Sequence, residues 1–146
     1  MQWTRKYSPG AAYSQSKLAN LIFALELQRL SDANGWGLMS NAAHPGASVT
    51  DLLTNSSDTN PIVKRLKQKI IELIGQSPAA GALPILFAAT SPDAKAMGYY
   101  GPNGRFELKG AVGPAIASEK AKDVPLARKL WEVSEELTDV HWPTSN

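Results

Sequence analysis

The sequence predicts an α/β fold built on a parallel sheet, and three observations predict it. Segments with helical spacing of apolar residues alternate with short apolar runs in the order helix, strand, helix, helix, strand, helix, the pattern of crossover units on a parallel sheet. Small residues at Ala79, Ala80, Gly81, Ala82, Ala88 and Ala89 suit one helix to close packing against that sheet. Pro45-Gly46 breaks the chain just after an apolar run and so bounds a short strand.

Each element has its own warrant. Pro9-Gly10 punctuates the start of a helix over about 11–30, where Leu18, Leu21, Ile22 and Leu25 recur at helical spacing. Asp32, Asn34 and Gly35 end it with turn chemistry. Residues 37–43 read as a short buried strand of modest β-propensity. Residues 47–59 are rich in Ser, Thr, Asn and Asp and read as a connection. Over 61–74, Ile62, Leu66, Ile70 and Leu73 share a helical face, with Lys64, Lys67 and Lys69 elsewhere on the surface. Ser77 as N-cap and Pro78 at the first position open a helix through about residue 90, in which Pro84 predicts local strain or a kink. Residues 98–104 are turn-rich, and Arg105–Leu108 reads as a terminal strand. Asp123 caps a last helix over 124–138. Two strands make a poor sheet.

Composition narrows the function. A chain of 146 residues, 43% hydrophobic and 19% charged, suits one globular domain, 1–146. Its net charge of +2 is too small to point to nucleic acid. With no cysteine there is neither a disulfide nor a thiolate metal site, and His44 and His141 lie too far apart in sequence to suggest zinc. No apolar run approaches the roughly 18–20 residues of a spanning helix. Residues Met1–Lys6 are not followed by a signal-peptide core. A cytoplasmic protein without a metal is the expectation. The basic face at Lys64–Lys69 reads as solvated rather than as a membrane contact.

The chemistry centres on Tyr13-Ser14-Gln15-Ser16-Lys17. Side chains four apart on a helix are neighbours, about 5–6 Å apart at Cβ. A phenol in water ionises near ~10, too high for acid/base work at neutral pH. A nearby ammonium favours the phenolate, by about 4 kcal/mol at 4 Å and an effective dielectric of 20. Such a pair can give a proton to a carbonyl oxygen or take one from an alcohol.

The run Ala12–Leu21, with Tyr13, Ser16 and Lys17 in place, resembles the catalytic helix of the short-chain dehydrogenase/reductase family. Its continuation Leu21–Leu30, and Trp3 before Tyr7-Ser8-Pro9, look like the retinol-dehydrogenase-like branch. Ala43-His44-Pro45-Gly46-Ala47-Ser48-Val49-Thr50 is similar to the family's Pro-Gly-x-x-x-Thr segment, and Leu130–Leu137 to that branch's C-terminal helix. The resemblance implies a dinucleotide-binding fold with NAD or NADP as cofactor. It implies Tyr13 as general acid/base, with Lys17 favouring the phenolate and binding the nicotinamide ribose. It implies Pro45, Gly46, Val49 and Thr50 at the nicotinamide end. Ile62, Leu66 and Ile70 would wall an apolar substrate pocket, since this region forms part of the family's substrate lid. His44 reads as a strand-end hydrogen-bonding residue, Ser16 as a small packing residue, and Tyr99 and Tyr100 as core or rim.

The chain also departs from the family. No glycine-rich turn for a pyrophosphate precedes Tyr13, nor does the family's Asn-Ala-Gly segment or its catalytic serine, which Ser8 cannot replace. The expectation is the C-terminal half of a Rossmann-type doubly wound parallel sheet, incomplete as given. It would carry the Tyr-Lys pair of an NAD(P)-dependent oxidoreductase for a hydrophobic carbonyl or alcohol, bind cofactor weakly or not at all by itself, and be inactive alone. Its expected partners are a second copy or a complementing N-terminal half. The other reading is a non-catalytic remnant serving as an interaction or oligomerisation module.

Overall fold

The computed structural model describes residues 7–47, 65 and 75–143. In chain order the elements are α1 (Pro9–Asn34), β1 (Ala42–Ala43), α2 (Pro78–Thr90), β2 (Tyr99–Pro102), β3 (Val112–Pro114) and α3 (Val124–Thr138), with 3-10 turns at Arg105–Glu107 and Glu119–Lys122. The helix expected over 61–74 lies outside the described residues. The chain divides into two compact units, Met1–Asn41 with Ala117–Asn146, and Ala42–Ile116.

In the first unit, α1 runs 26 residues, longer at both ends than its apolar spacing suggests. Proline occupies its first turn, where a missing N–H costs nothing. Gly35 ends it at φ +65°, and the Trp36 N–H donates to Ser31 O at 3.0 Å, closing the last turn. The apolar stripe of α1 puts Ile22 and Leu25 against Ala121 and Ala127, with Leu18, Leu21, Leu126 and Leu130 around them. Asp123 caps α3 by accepting the Leu126 N–H at 3.0 Å. Phe23 stacks on Trp131 with centroids 4.9 Å apart.

The strand expected over 37–43 shortens to Ala42–Ala43, and the reason is a polar clamp from α1. Gln28 Oε1 accepts the Ser40 N–H at 2.6 Å while its Nε2 donates to Leu38 O at 3.2 Å. Ser31 Oγ accepts the Leu38 N–H at 3.0 Å and donates to Leu38 O at 3.1 Å. Ser40 Oγ donates to Ala24 O at 2.8 Å. Backbone groups that a strand would spend on a neighbour are spent on buried helix side chains.

In the second unit the sheet has the order β1-β2-β3. β1 and β2 are parallel, Ala42 opposite Tyr99 and Ala43 opposite Tyr100, whereas β2 and β3 are antiparallel. The sheet is therefore mixed rather than purely parallel. Segment 98–104, expected as turns, contains β2, because Tyr99 and Tyr100 find partners in Ala42 and Ala43. Arg105–Leu108, expected as a strand, opens as a 3-10 turn with φ +56° at Phe106 and +54° at Glu107, values no strand residue adopts. β3 went unforeseen. Helix α2 covers the sheet through Ala88 and Phe87, which meet Tyr100, Ala94 and Ala43. Ser77 Oγ accepts the Ala80 N–H at 3.2 Å as its cap. Pro84 is buried inside α2, which runs through it as one helix. No described helix is long and apolar enough to cross a membrane.

Two outcomes follow for the first unit. Gln28→Ala strands the Ser40 N–H and should cost roughly 1–3 kcal/mol in urea unfolding, while exposed Lys129→Ala should stay within about 0.5 kcal/mol. Glu135 gives the second. The Trp142 backbone N–H, donating to Oε1 at 3.1 Å, holds its carboxyl below the usual carboxylate range, with smaller help from Trp131 and His141 against opposing desolvation. A carboxyl depressed on folding stabilises above its unfolded pKa, and that support disappears as pH falls through the folded value. The fluorescence of Trp142, whose ring lies 5.1 Å from that of Trp36, should change on acidification below the usual carboxylate range. Glu135→Ala should abolish that step.

Candidate active site

Tyr13 and Lys17 sit in the first turns of α1, exposed and ahead of the core-facing stripe that begins at half-buried Leu18. One helical turn separates them, so both side chains leave the same face. The Lys17 ammonium lies 5.3 Å from the centroid of the Tyr13 ring, over its face, a contact worth about 0.5–1 kcal/mol at an exposed site. Tyr13 is 57% exposed, so its phenol is open to a ligand. Ser16, expected to pack, is instead exposed and donates to Tyr13 O at 2.7 Å, a back-bond within the helix. The arrangement sets a solvent-facing phenol beside an ammonium.

Pro45 and Gly46 belong to the second unit, immediately beyond β1. Gly46 has φ +62°, and a Cβ there would meet Leu108 O at 2.5 Å and Pro102 Cγ at 2.7 Å. Only glycine fits this turn. Gln76 closes it from outside: its Nε2 donates to Pro45 O at 2.8 Å and its backbone N–H to Ala47 O at 2.9 Å. The Ala47 N–H donates to Leu108 O at 2.8 Å. Val49 and Thr50 lie outside the described residues, as do Ile62, Leu66 and Ile70 of the expected lid.

His44 roots this turn on the sheet, its N–H donating to Tyr100 O at 2.9 Å. Its Nδ1 accepts the Gly46 N–H at 3.2 Å, and its Nε2 lies 3.2 Å from Glu107 Oε2. The expected strand-end hydrogen-bonding role matches these contacts. Burial, then the Glu107 carboxylate, push the Tyr99 phenol above its ordinary value, which keeps it neutral. Tyr100 is buried and its Oη accepts the Lys95 N–H at 2.7 Å. Sequence reasoning missed Gln76 and Glu107, because each reaches the turn from far along the chain and neither sits in a motif. Among the described residues no group of His, Cys, Asp and Glu could hold a metal ion.

Known proteins resemble this chain over nearly its whole length. Polyprenol dehydrogenase from Mus musculus is 36% identical over 132 residues, which cover 90% of this chain and 36% of that protein. Retinol dehydrogenase 13 from Homo sapiens is 33% identical over 147 residues, covering 99% of this chain and 41% of that protein. A crystal structure of an uncharacterized protein from Mycobacterium paratuberculosis superposes with a TM-score of 0.68 at 38% identity, covering 97% of this chain and 43% of that one. No protein-family model matches the chain. The chain thus spans well under half the length of these two curated relatives.

Gly46→Ala should destabilise the second unit by more than about 1 kcal/mol in thermal unfolding, since it adds both backbone strain and a collision. Gly10→Ala, where a Cβ meets nothing within 4 Å, should be neutral or stabilising by up to about 1 kcal/mol.

Proposed function

Because the chain belongs to the short-chain dehydrogenase/reductase family over the stretch it shares with these relatives, we propose that it is the acid/base-bearing portion of an NAD(P)-dependent oxidoreductase. Its mixed α/β architecture is that of a partial Rossmann-type sheet. Its substrate is a hydrophobic alcohol or carbonyl compound, a reading supported by relatives named for polyprenol and retinol.

The observation that carries the proposal is the exposed Tyr13 phenol with the Lys17 ammonium over its ring. In the reducing direction the Tyr13 hydroxyl gives its proton to the substrate carbonyl oxygen, and the Lys17 charge stabilises the phenolate left behind. In the oxidising direction the phenolate takes the alcohol proton. A nicotinamide, when bound, supplies or accepts the hydride that balances this proton. By the family's motifs Lys17 would offer donors to a ribose hydroxyl, and the Pro45–Gly46 turn, within its own unit, would offer backbone at a strand's carboxyl end. Val49 and Thr50 complete this set in the family's motif.

What the chain does not offer is a glycine-rich turn ahead of Tyr13 for a pyrophosphate. Cofactor affinity should therefore be low for these residues taken alone. A second reading, a non-catalytic interaction or self-association module, draws support from Leu83, Ile85 and Leu86 on α2, each about half exposed.

Titration with NADH or NADPH, followed by nicotinamide fluorescence, separates the claims. The chain alone should show no saturable binding below millimolar concentration; tight binding would refute the partial-site reading. Concentration-dependent dimerisation in sedimentation, lost in Leu86→Lys, would favour the module.

A further inference from the structure

We infer that Glu107 and His44 are positioning residues for the Pro45–Gly46 turn: Glu107 sets the orientation and tautomer of the His44 ring, and the ring holds the Gly46 amide. The inference rests on the reading of that turn as the nicotinamide-side loop and names what fixes its shape. His44 reaches Gly46 two residues on, through Nδ1 accepting the Gly46 N–H at 3.2 Å, as an Asn or Asp side chain does in an Asx-turn. With Nδ1 as acceptor, the neutral ring must carry its proton on Nε2. That nitrogen is buried and makes no hydrogen bond, but it lies 3.2 Å from Glu107 Oε2, so Glu107 acts on the ring through its charge.

Glu107 is itself held from the other side. Its Oε1 accepts the Ile116 N–H at 2.7 Å, and its backbone, with that of Phe106, lies at positive φ. Two adjacent non-glycine residues in this region are costly and persist only when the surroundings over-determine them. The ring has a slot cut for it, since a Cβ on Gly101 would collide with the imidazole. The same strained turn ends at Leu108, whose carbonyl accepts the Ala47 N–H. The 105–108 turn therefore grips the Pro45–Gly46 turn twice, once by backbone and once through Glu107 and His44. Both side chains are about one quarter exposed, so the carboxylate is partly shielded from water and its pull on the ring nitrogen is only partly screened.

The test needs no cofactor, so its failure is distinct from failure of the nicotinamide reading, which the NADH titration and family activity address. Long-range nitrogen–proton spectra of the wild-type chain should show His44 protonated on Nε2. His44→Ala should speed hydrogen exchange at the Gly46 amide by roughly five- to tenfold, the loss of about one hydrogen bond, and His44→Asn should restore most of it. Glu107→Ala and Glu107→Gln, which both remove the carboxylate charge, should populate the other tautomer and also speed Gly46 exchange. The amide of residue 44, bonded to Tyr100 O, is the internal reference and should not change. Unchanged Gly46 exchange in both alanine variants would overturn the inference. So would equal acceleration at residue 44, which would mark general loosening instead.

Discussion

Two rungs of parallel ladder, Ala42 on Tyr99 and Ala43 on Tyr100, are what the second unit depends on. They deliver the chain to His44 in a fixed register, so that its N–H meets Tyr100 O and its ring enters the space that Gly101 leaves open. From there Pro45 and Gly46 have one way to turn. A residue with a Cβ at 46 would press into Leu108 O, and a one-residue slip of β1 would send the His44 ring to the opposite face. The geometry of this turn is a consequence of strand register and of an absent methyl group.

The first unit solves a different problem. A long helix must bury one stripe and keep its early turns open. Ile22 and Leu25 anchor α1 on α3 and the neighbouring turn, and this packing begins at Leu18. Tyr13 and Lys17 precede it and stay in solvent, where a phenol and an ammonium can meet a ligand. Further along the same helix, Gln28 and Ser31 are buried because they satisfy the backbone of residues 38–40. One helix thus leaves the Tyr13–Lys17 pair exposed at one end and holds residues 38–40 at the other.

The three described helices were legible in the sequence because their signals are local. Apolar spacing, Ser77-Pro78 and Asp123 act within a turn or two of themselves. The Tyr13–Lys17 pair was legible for the same reason, since helical geometry makes residues four apart neighbours. The misreadings share the opposite cause. Tyr99-Tyr100-Gly101-Pro102 looks like a turn until Ala42 and Ala43 are beside it, and Arg105–Leu108 looks like a strand until positive φ at Phe106 and Glu107 is seen. Gln76 and Glu107 reach Pro45 and His44 only through tertiary structure, so no local pattern could reveal them.

The central claim is that Tyr13 moves the proton in an oxidoreductase reaction. It is tested most directly by grafting this chain in place of the matching segment of human retinol dehydrogenase 13, with which it aligns over 99% of its length, and measuring retinol oxidation. The account predicts an active chimera whose Tyr13→Phe variant still binds cofactor but loses about 10²–10⁴-fold in turnover. Undiminished turnover in that variant would contradict it.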